Sequence, residues 1–230
     1  TDKQPEISLD VDFSDGKIEL LQDATLTISE GGSLSIDANN ITFGTDSSIV
    51  VNGTLNLKLT EDFTVGSNFA KESKGIISCT DSFDFIIDTD FEGPINFDCT
   101  KNVTLENNKT VSFGTIKANT FTNKGTTTVN SNLSVGTVTN NGTLTIKEDS
   151  EIKNFSNNGS AIVDDSKTLK ITKKFNNEGT FTGKLNLSGS ELETNIKLAV
   201  DGKNSVYETI EIDSSDKNIS FTGNPKIKKL

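Results

Sequence analysis

Along most of the chain apolar and polar residues alternate one for one, as in Thr143-Leu144-Thr145-Ile146 and Lys184-Leu185-Asn186-Leu187. A period of two marks a strand with one buried face, and no window carries the i, i+3, i+4, i+7 apolar spacing of an amphipathic helix. The strands belong to a repeat. An apolar residue (Leu105, Phe121, Val138, Phe155, Phe175) is followed two positions later by Asn107, Asn123, Asn140, Asn157 or Asn177. Two further on comes Lys109, Gly125, Gly142, Gly159 or Gly179, and then Ser or Thr, so the unit recurs at steps of 16, 17, 17 and 20 residues.

The shorter core Gly-x-apolar-x-apolar carries the register back through Gly93, Gly75, Gly53, Gly32 and Gly16, giving ten anchors separated by 16 to 22 residues. Such a unit holds two or three short strands plus turns, enough for one coil of a solenoid and too little for a propeller blade of roughly 40 residues. The expected fold is all-β: a single-stranded parallel β-helix of about ten coils, roughly 50 Å long at about 4.8 Å per coil, with β caps at both ends. In-register stacking predicts one interior column of Leu34, Leu55, Ile77, Ile95, Val111, Thr127, Leu144, Ala161 and Phe181. Residues 1–189 form the helix, opened by a cap strand at Ile7, Leu9, Val11 and Phe13. Residues 190–230 form a C-terminal β cap or small subdomain, with strands around a turn at Asp201-Gly202.

The recurrent Asn has a physical reason. Asn and Gly tolerate positive φ at a corner, and Asn side chains repeated in every coil can hydrogen-bond along the stack. Asn107, Asn123, Asn140, Asn157 and Asn177 are therefore read as a structural ladder rather than a ligand site. Lys109 replaces the Gly, so its corner has negative φ or strain. The widest step, before Gly75, predicts a loop at Ser67–Lys74, where solenoids place binding function.

Cys79 and Cys99 lie about one coil apart. They fit a disulfide between neighbouring coils, yet they stand four and six residues beyond their own glycines, which would place them diagonally. A bridge and two buried thiols both remain open on this spacing. Asp88-Thr89-Asp90-Phe91-Glu92-Gly93 has the alternating carboxylates and sixth-position Gly of a calcium loop, but its twelfth position is Cys99. With Gly93 and Pro94 assigned to a coil corner, the passage reads as a solvated acidic turn. No metal or cofactor is expected.

The net charge is -11, every one of the 22 basic residues is Lys, and the chain has no Arg, His, Trp or Met. Acidity without Arg argues against nucleic acid as a partner. Missing His removes the commonest catalytic base and metal ligand. No apolar run is long enough to insert in a membrane. A surface rich in Ser, Thr, Asn and Asp points to an extracellular location. Ten N-x-[ST] sequons (Asn40, Asn52, Asn102, Asn108, Asn132, Asn141, Asn154, Asn158, Asn186, Asn218) are candidate glycan acceptors there.

The unit apolar-x-Asn-x-Gly-Thr, as in Phe121–Thr126, Val138–Thr143, Phe155–Ser160 and Phe175–Thr180, resembles repeats of β-helical cell-surface proteins. These are the N-terminal domains of fungal hyphally regulated cell-wall adhesins, and bacterial autotransporter passengers or surface-layer β-helices. The resemblance covers about residues 16–190 and implies a right-handed β-helix on a cell surface.

The expected function is non-catalytic, structural or adhesive: envelope scaffold, surface-layer or fibre subunit, or adhesin stalk. A surface glycan or host protein is one class of partner. Another is further copies joined through the capped ends, where a basic tail meets an acidic body. The alternative is a polysaccharide-active enzyme using Asp88/Asp90 or Asp164-Asp165, or a carbohydrate-binding module, for which Tyr207 is the one aromatic besides Phe.

Overall fold

The computed structural model describes residues 4–79, 81–188, 195–198, 205–213, 218–221 and 226–227. The fold is a parallel β-solenoid of about nine turns, against the ten read from the glycine anchors. The strands stack in parallel sheets, and among the described residues the one helical element is a single 3-10 turn at Ala38–Asn40, capped by the Asp37 carboxylate accepting from the Asn39 N–H at 3.0 Å. No helix among the described residues is long and apolar enough to cross a membrane. The backbone clusters into two compact units, Thr1–Ala118 and Asn119–Leu230.

In the first unit each coil is three-sided. The strands Thr25–Ile28, Ser33–Asp37 and Ile41–Phe43 form one turn, and the first two pair in register with Ser48–Val51 and Thr54–Lys58 of the next. The strand expected through Ile7, Leu9, Val11 and Phe13 is instead two: Glu6–Ile7 pairs with Thr25–Ile28, and Asp10–Phe13 pairs with Ser33–Asp37, placing Val11 on Leu34 and Phe13 on Ile36, while Leu9 and Phe13 are exposed. The alternating apolar residues point inward and stack, and ring contacts of 5.4–6.2 Å run through Phe43, Phe69, Phe63, Phe85, Phe97 and Phe113. A parallel, in-register stack repeats each apolar position over its predecessor, so a column, once begun, continues as long as the coil length holds.

The predicted column holds at its start, with Leu34 on Leu55 and Leu55 on Ile77. It then departs from the expectation. Phe97, not Ile95, lies over Ile77, and Ile116, not Val111, lies over Phe97. Gly93 and Pro94 are inside the nine-residue strand Phe91–Cys99, where register shifts mark a bulge, and not at a coil corner. Proline has no N–H to give a ladder, so a bulge is where a strand accepts it. The slip from Ile95 to Phe97 is two residues, which keeps each side chain on its face. The displacement from Val111 to Ile116 is odd, and a second register shift, between Ile95 and Phe97, absorbs the extra residue, so that Ile95, Phe97, Val111 and Ile116 are all fully buried.

Ser67–Lys74 is not an excursion. Phe69 bridges to Ile49 and is buried, and the buried Ser73 hydroxyl accepts from the Val51 N–H at 3.0 Å, so the segment completes a coil side without a regular strand.

In the second unit Thr126–Val129, Thr143–Ile146, Ser160–Val163 and Thr180–Ser188 stack in register, carrying the column Thr127, Leu144, Ala161, Phe181 as predicted. Parallel pairing continues through Asn195–Leu198, Val206–Asp213, Asn218–Phe221 and Lys226–Ile227. The turn expected at Asp201-Gly202 and most of the basic C-terminal tail lie outside the described residues.

Candidate functional site: a buried asparagine ladder and a polar trough

Asn123, Asn140, Asn157 and Asn177 each end a strand, and each is completely buried. Their amides form a chain. Asn123 Nδ2 donates to Asn140 Oδ1 at 2.8 Å, Asn140 Nδ2 to Asn157 Oδ1 at 2.7 Å, and Asn157 Nδ2 to Asn177 Oδ1 at 2.7 Å. The second proton of each donor goes to a backbone carbonyl one coil on: Thr143 at 2.9 Å, Ser160 at 2.9 Å and Thr180 at 2.8 Å. Both ends are closed as well, by the Thr127 hydroxyl donating to Asn123 Oδ1 at 3.0 Å and by Asn177 Nδ2 donating to the Tyr207 hydroxyl at 2.9 Å. A primary amide has two donors and an acceptor, so it can fill the core only where a neighbour repeats it; this ladder meets that condition.

Asn107 is no member. It is exposed in a turn whose positive φ of 62° falls on Asn108, one residue before Lys109. The Asn-x-Lys variant therefore turns its corner with an asparagine in the left-handed region, which Asn tolerates better than most residues.

The corner glycines serve a purpose other than the expected one. Gly142, Gly159 and Gly179 do not have positive φ; instead, a Cβ on any of them would lie 2.0 Å from the carbonyl oxygen of the anchor glycine one coil before. The same holds at 2.2 Å for Gly53 over Gly32 and at 2.1 Å for Gly75 over Gly53, whereas a Cβ on Gly93 meets nothing closer than 3.4 Å. The glycines are selected for backbone contact between coils.

Cys79 and Cys99 are direct register partners, joined in a disulfide with their Cα atoms 4.6 Å apart. The two-residue bulge at Gly93-Pro94 brings the two into line. Their diagonal placement followed from treating Gly93 as an anchor, and it is corrected here.

The acidic passage is spent on neighbours. Asp88 pairs with Lys109 at 3.2 Å, Asp90 accepts from the Thr110 N–H at 2.6 Å, and Glu92 pairs with Lys71 at 2.6 Å. The three carboxylates reach three separate partners, and no group of three metal-ligating side chains occurs among the described residues. The Glu92 hydrogen bond raises the Lys71 pKa above its ordinary value, and Glu148 does the same for Lys167. Asp164 accepts from the Ser166 N–H and hydroxyl in its own turn. Tyr207 is buried and stacked on Phe181 with ring centroids 5.1 Å apart, so it is core and cannot serve as a sugar platform.

A trough escaped the sequence reading. On one outward face of the second unit, Asn132, Ser134, Asp149, Glu151, Thr168, Lys170, Asn186 and Glu211 line a concave space of about 570 Å³. Register brings Glu151 beside Lys170, Lys170 beside Asn186, and Asn186 beside Glu211. These side chains hold one another: Lys170 Nζ meets Glu151 Oε2 at 3.0 Å, and Asn186 Nδ2 donates to Glu211 Oε2 at 3.0 Å. Asp149 accepts from the Thr168 N–H at 2.7 Å. Asn186 Oδ1 is buried and accepts no hydrogen bond from any described residue. The coil steps here range from 16 to 25 residues, so no fixed spacing in the sequence announces the row.

Compared with protein-family models, curated proteins and solved structures, the chain matches none.

Proposed function

We propose that this chain is a non-catalytic structural or adhesive protein of an extracellular surface. The observation that carries the reading is the buried ladder from Thr127 through four asparagines to Tyr207. Each half-satisfied buried amide costs about 1–3 kcal/mol, so the ladder is stable only as an uninterrupted stack. An interior organised in that way resists local opening, which suits a protein whose task is to hold a surface in place.

The Cys79–Cys99 disulfide supports an oxidising compartment, where such bonds form and persist. Exposed ion pairs between adjacent coils, such as Lys71–Glu92 and Lys170–Glu151, add little stability each and leave a well-solvated acidic surface. The repeat's likeness to adhesin and surface-layer β-helices agrees with this reading.

The test is immunogold labelling of intact cells that make the protein, combined with protease treatment before lysis. Surface label removed by protease is the expected result. Label confined to the cell interior would overturn the proposal.

A further inference from the structure

We infer that the trough on the second unit binds a neutral, hydroxyl-rich polysaccharide chain lying along the row Ser134, Glu151, Lys170, Asn186, Glu211. The inference rests on the surface reading for where such a ligand would be met; the site itself stands on its own residues.

Three observations carry it. First, the row is concave and continuous over about 570 Å³, whereas an ordinary solvated strand face is flat. Second, the row is partly preorganised, because the planar Asn186 amide is held on the Glu211 carboxylate at 3.0 Å, with Lys170 facing Glu151 as an exposed ion pair at 3.0 Å. Planar groups already fixed in direction lose little side-chain entropy when a ligand arrives.

Third, donors and acceptors are mixed. Lys170, Thr168, Ser134 and the Asn132 amide can donate, while Asp149, Glu151 and Glu211 can accept. A sugar hydroxyl both donates and accepts, so a glycan satisfies both sets at once. An anionic polymer would face three carboxylates against one ammonium. A basic peptide would set like charges against Lys170.

The geometry sets the ligand's direction. Register partners in adjacent coils lie about 4.8 Å apart, close to the length of one sugar residue in an extended chain, so successive sugars meet successive side chains of the row. From Ser134 to Glu211 the row spans four coil spacings, roughly 19 Å, or about a tetrasaccharide. Without aromatic platforms, affinity comes from hydrogen bonds in an open site, and a Kd in the range of about 10 μM to 1 mM is expected.

The experiment is affinity electrophoresis of the full chain through gels containing a soluble mannan, a β-glucan or a galactan. Isothermal titration with the matching tetrasaccharide follows. Polygalacturonate serves as the anionic control and polylysine as the cationic one.

Retardation by at least one neutral polymer, unchanged at high salt and weakened about tenfold or more in the Glu151→Ala/Asn186→Ala variant, supports the inference. Lys170→Gln, which keeps shape and removes a charged donor, should weaken retention several-fold with an unchanged melting curve. The outward Thr145→Ala should leave binding alone. No retardation by any neutral polymer, retention equal in the double variant, or binding only to polylysine that vanishes in salt would each overturn it. Surface label on cells without glycan retention sinks this inference and leaves the surface reading standing; glycan retention by a protein found only inside cells does the reverse.

Discussion

Asn140 is the position at which the ladder can be tested most directly. Its side chain accepts from Asn123 at 2.8 Å and donates to Asn157 at 2.7 Å and to the Ser160 carbonyl at 2.9 Å, all in a fully buried environment. Asn140→Ala deletes all three hydrogen bonds. Asn123 keeps its bond to the Thr143 carbonyl, but Asn157 Oδ1 loses its ladder donor and a small void opens. At roughly 1 kcal/mol net for each of three bonds, plus about 1–3 kcal/mol for an orphaned buried acceptor, the expected loss is about 4–6 kcal/mol.

Asn158→Ala is the matched control. Asn158 sits at the corresponding corner one coil on, exposed, with its side chain bonded to Asn141 Oδ1 at 2.8 Å, and should cost less than about 1 kcal/mol. Asn140→Asp gives a sign test. A carboxylate there can accept from Asn123 but cannot donate to Asn157 or Ser160, so burial and the facing carbonyl oxygens raise its folded pKa above the unfolded value. The folded state then binds the extra proton. The variant's deficit is full above that raised pKa and shrinks as pH falls from it to the unfolded value. The assay is urea unfolding followed by circular dichroism at two pH values. An Asn140→Ala penalty within about 0.5 kcal/mol of the Asn158→Ala penalty would refute the ladder as a source of stability.

Four further outcomes follow from the same geometry. Gly142→Ala forces a methyl to 2.0 Å from the Gly125 carbonyl and should lower stability by about 3 kcal/mol or more, whereas Gly66→Ala, with open space around it, should stay within about 1 kcal/mol; thermal melts of the two separate close approach from generic glycine flexibility. Removing the bridge with Cys79→Ala/Cys99→Ala should cost about 2–4 kcal/mol, and reductant should lower the parent's melting point but not the variant's. Tyr207→Phe takes away the hydroxyl that ends the ladder and should destabilise by about 1 kcal/mol, read from the same melts. Hydrogen bonds from Ser14 lower the Asp12 pKa, so this turn is held while the carboxylate is ionised; its contribution is present above the unfolded value of 3.8 and is lost as pH falls through the lower folded value, seen as faster amide exchange at Ser14 relative to a pH-matched Asp12→Asn control.

The ladder was legible wherever the full Asn-x-Gly corner recurs, across the 20-residue step from Asn157 to Asn177 as well as the shorter ones. At the 17-residue steps from Asn123 to Asn140 and from Asn140 to Asn157, the repeat names the stacked residues correctly. It misplaced Asn107, because the same spacing at an Asn-Lys corner is satisfied by positive φ at Asn108, which turns the chain before any amide is buried. The cysteines were misaligned for a related reason. Gly93 looks like an anchor in sequence, yet it sits in a bulge and touches no neighbouring glycine. The trough was invisible because its members come from five coils of unequal length. Only outward strand positions, once registered, place Glu151, Lys170, Asn186 and Glu211 side by side.

The amino-acid pattern by itself determined that the chain forms strands, that they stack as coils, and which face of each strand is buried. Alternation and a recurring Asn-x-Gly are local properties that survive a two-residue slip, since such a slip returns every side chain to its own face. Register was decided by the tertiary structure. Which coil's Phe lies on which Ile, whether two sulfurs meet and which surface charges line up all depend on summed coil length and on where the bulges fall, and these are settled only when backbone hydrogen bonds, glycine contacts and buried amides are satisfied together.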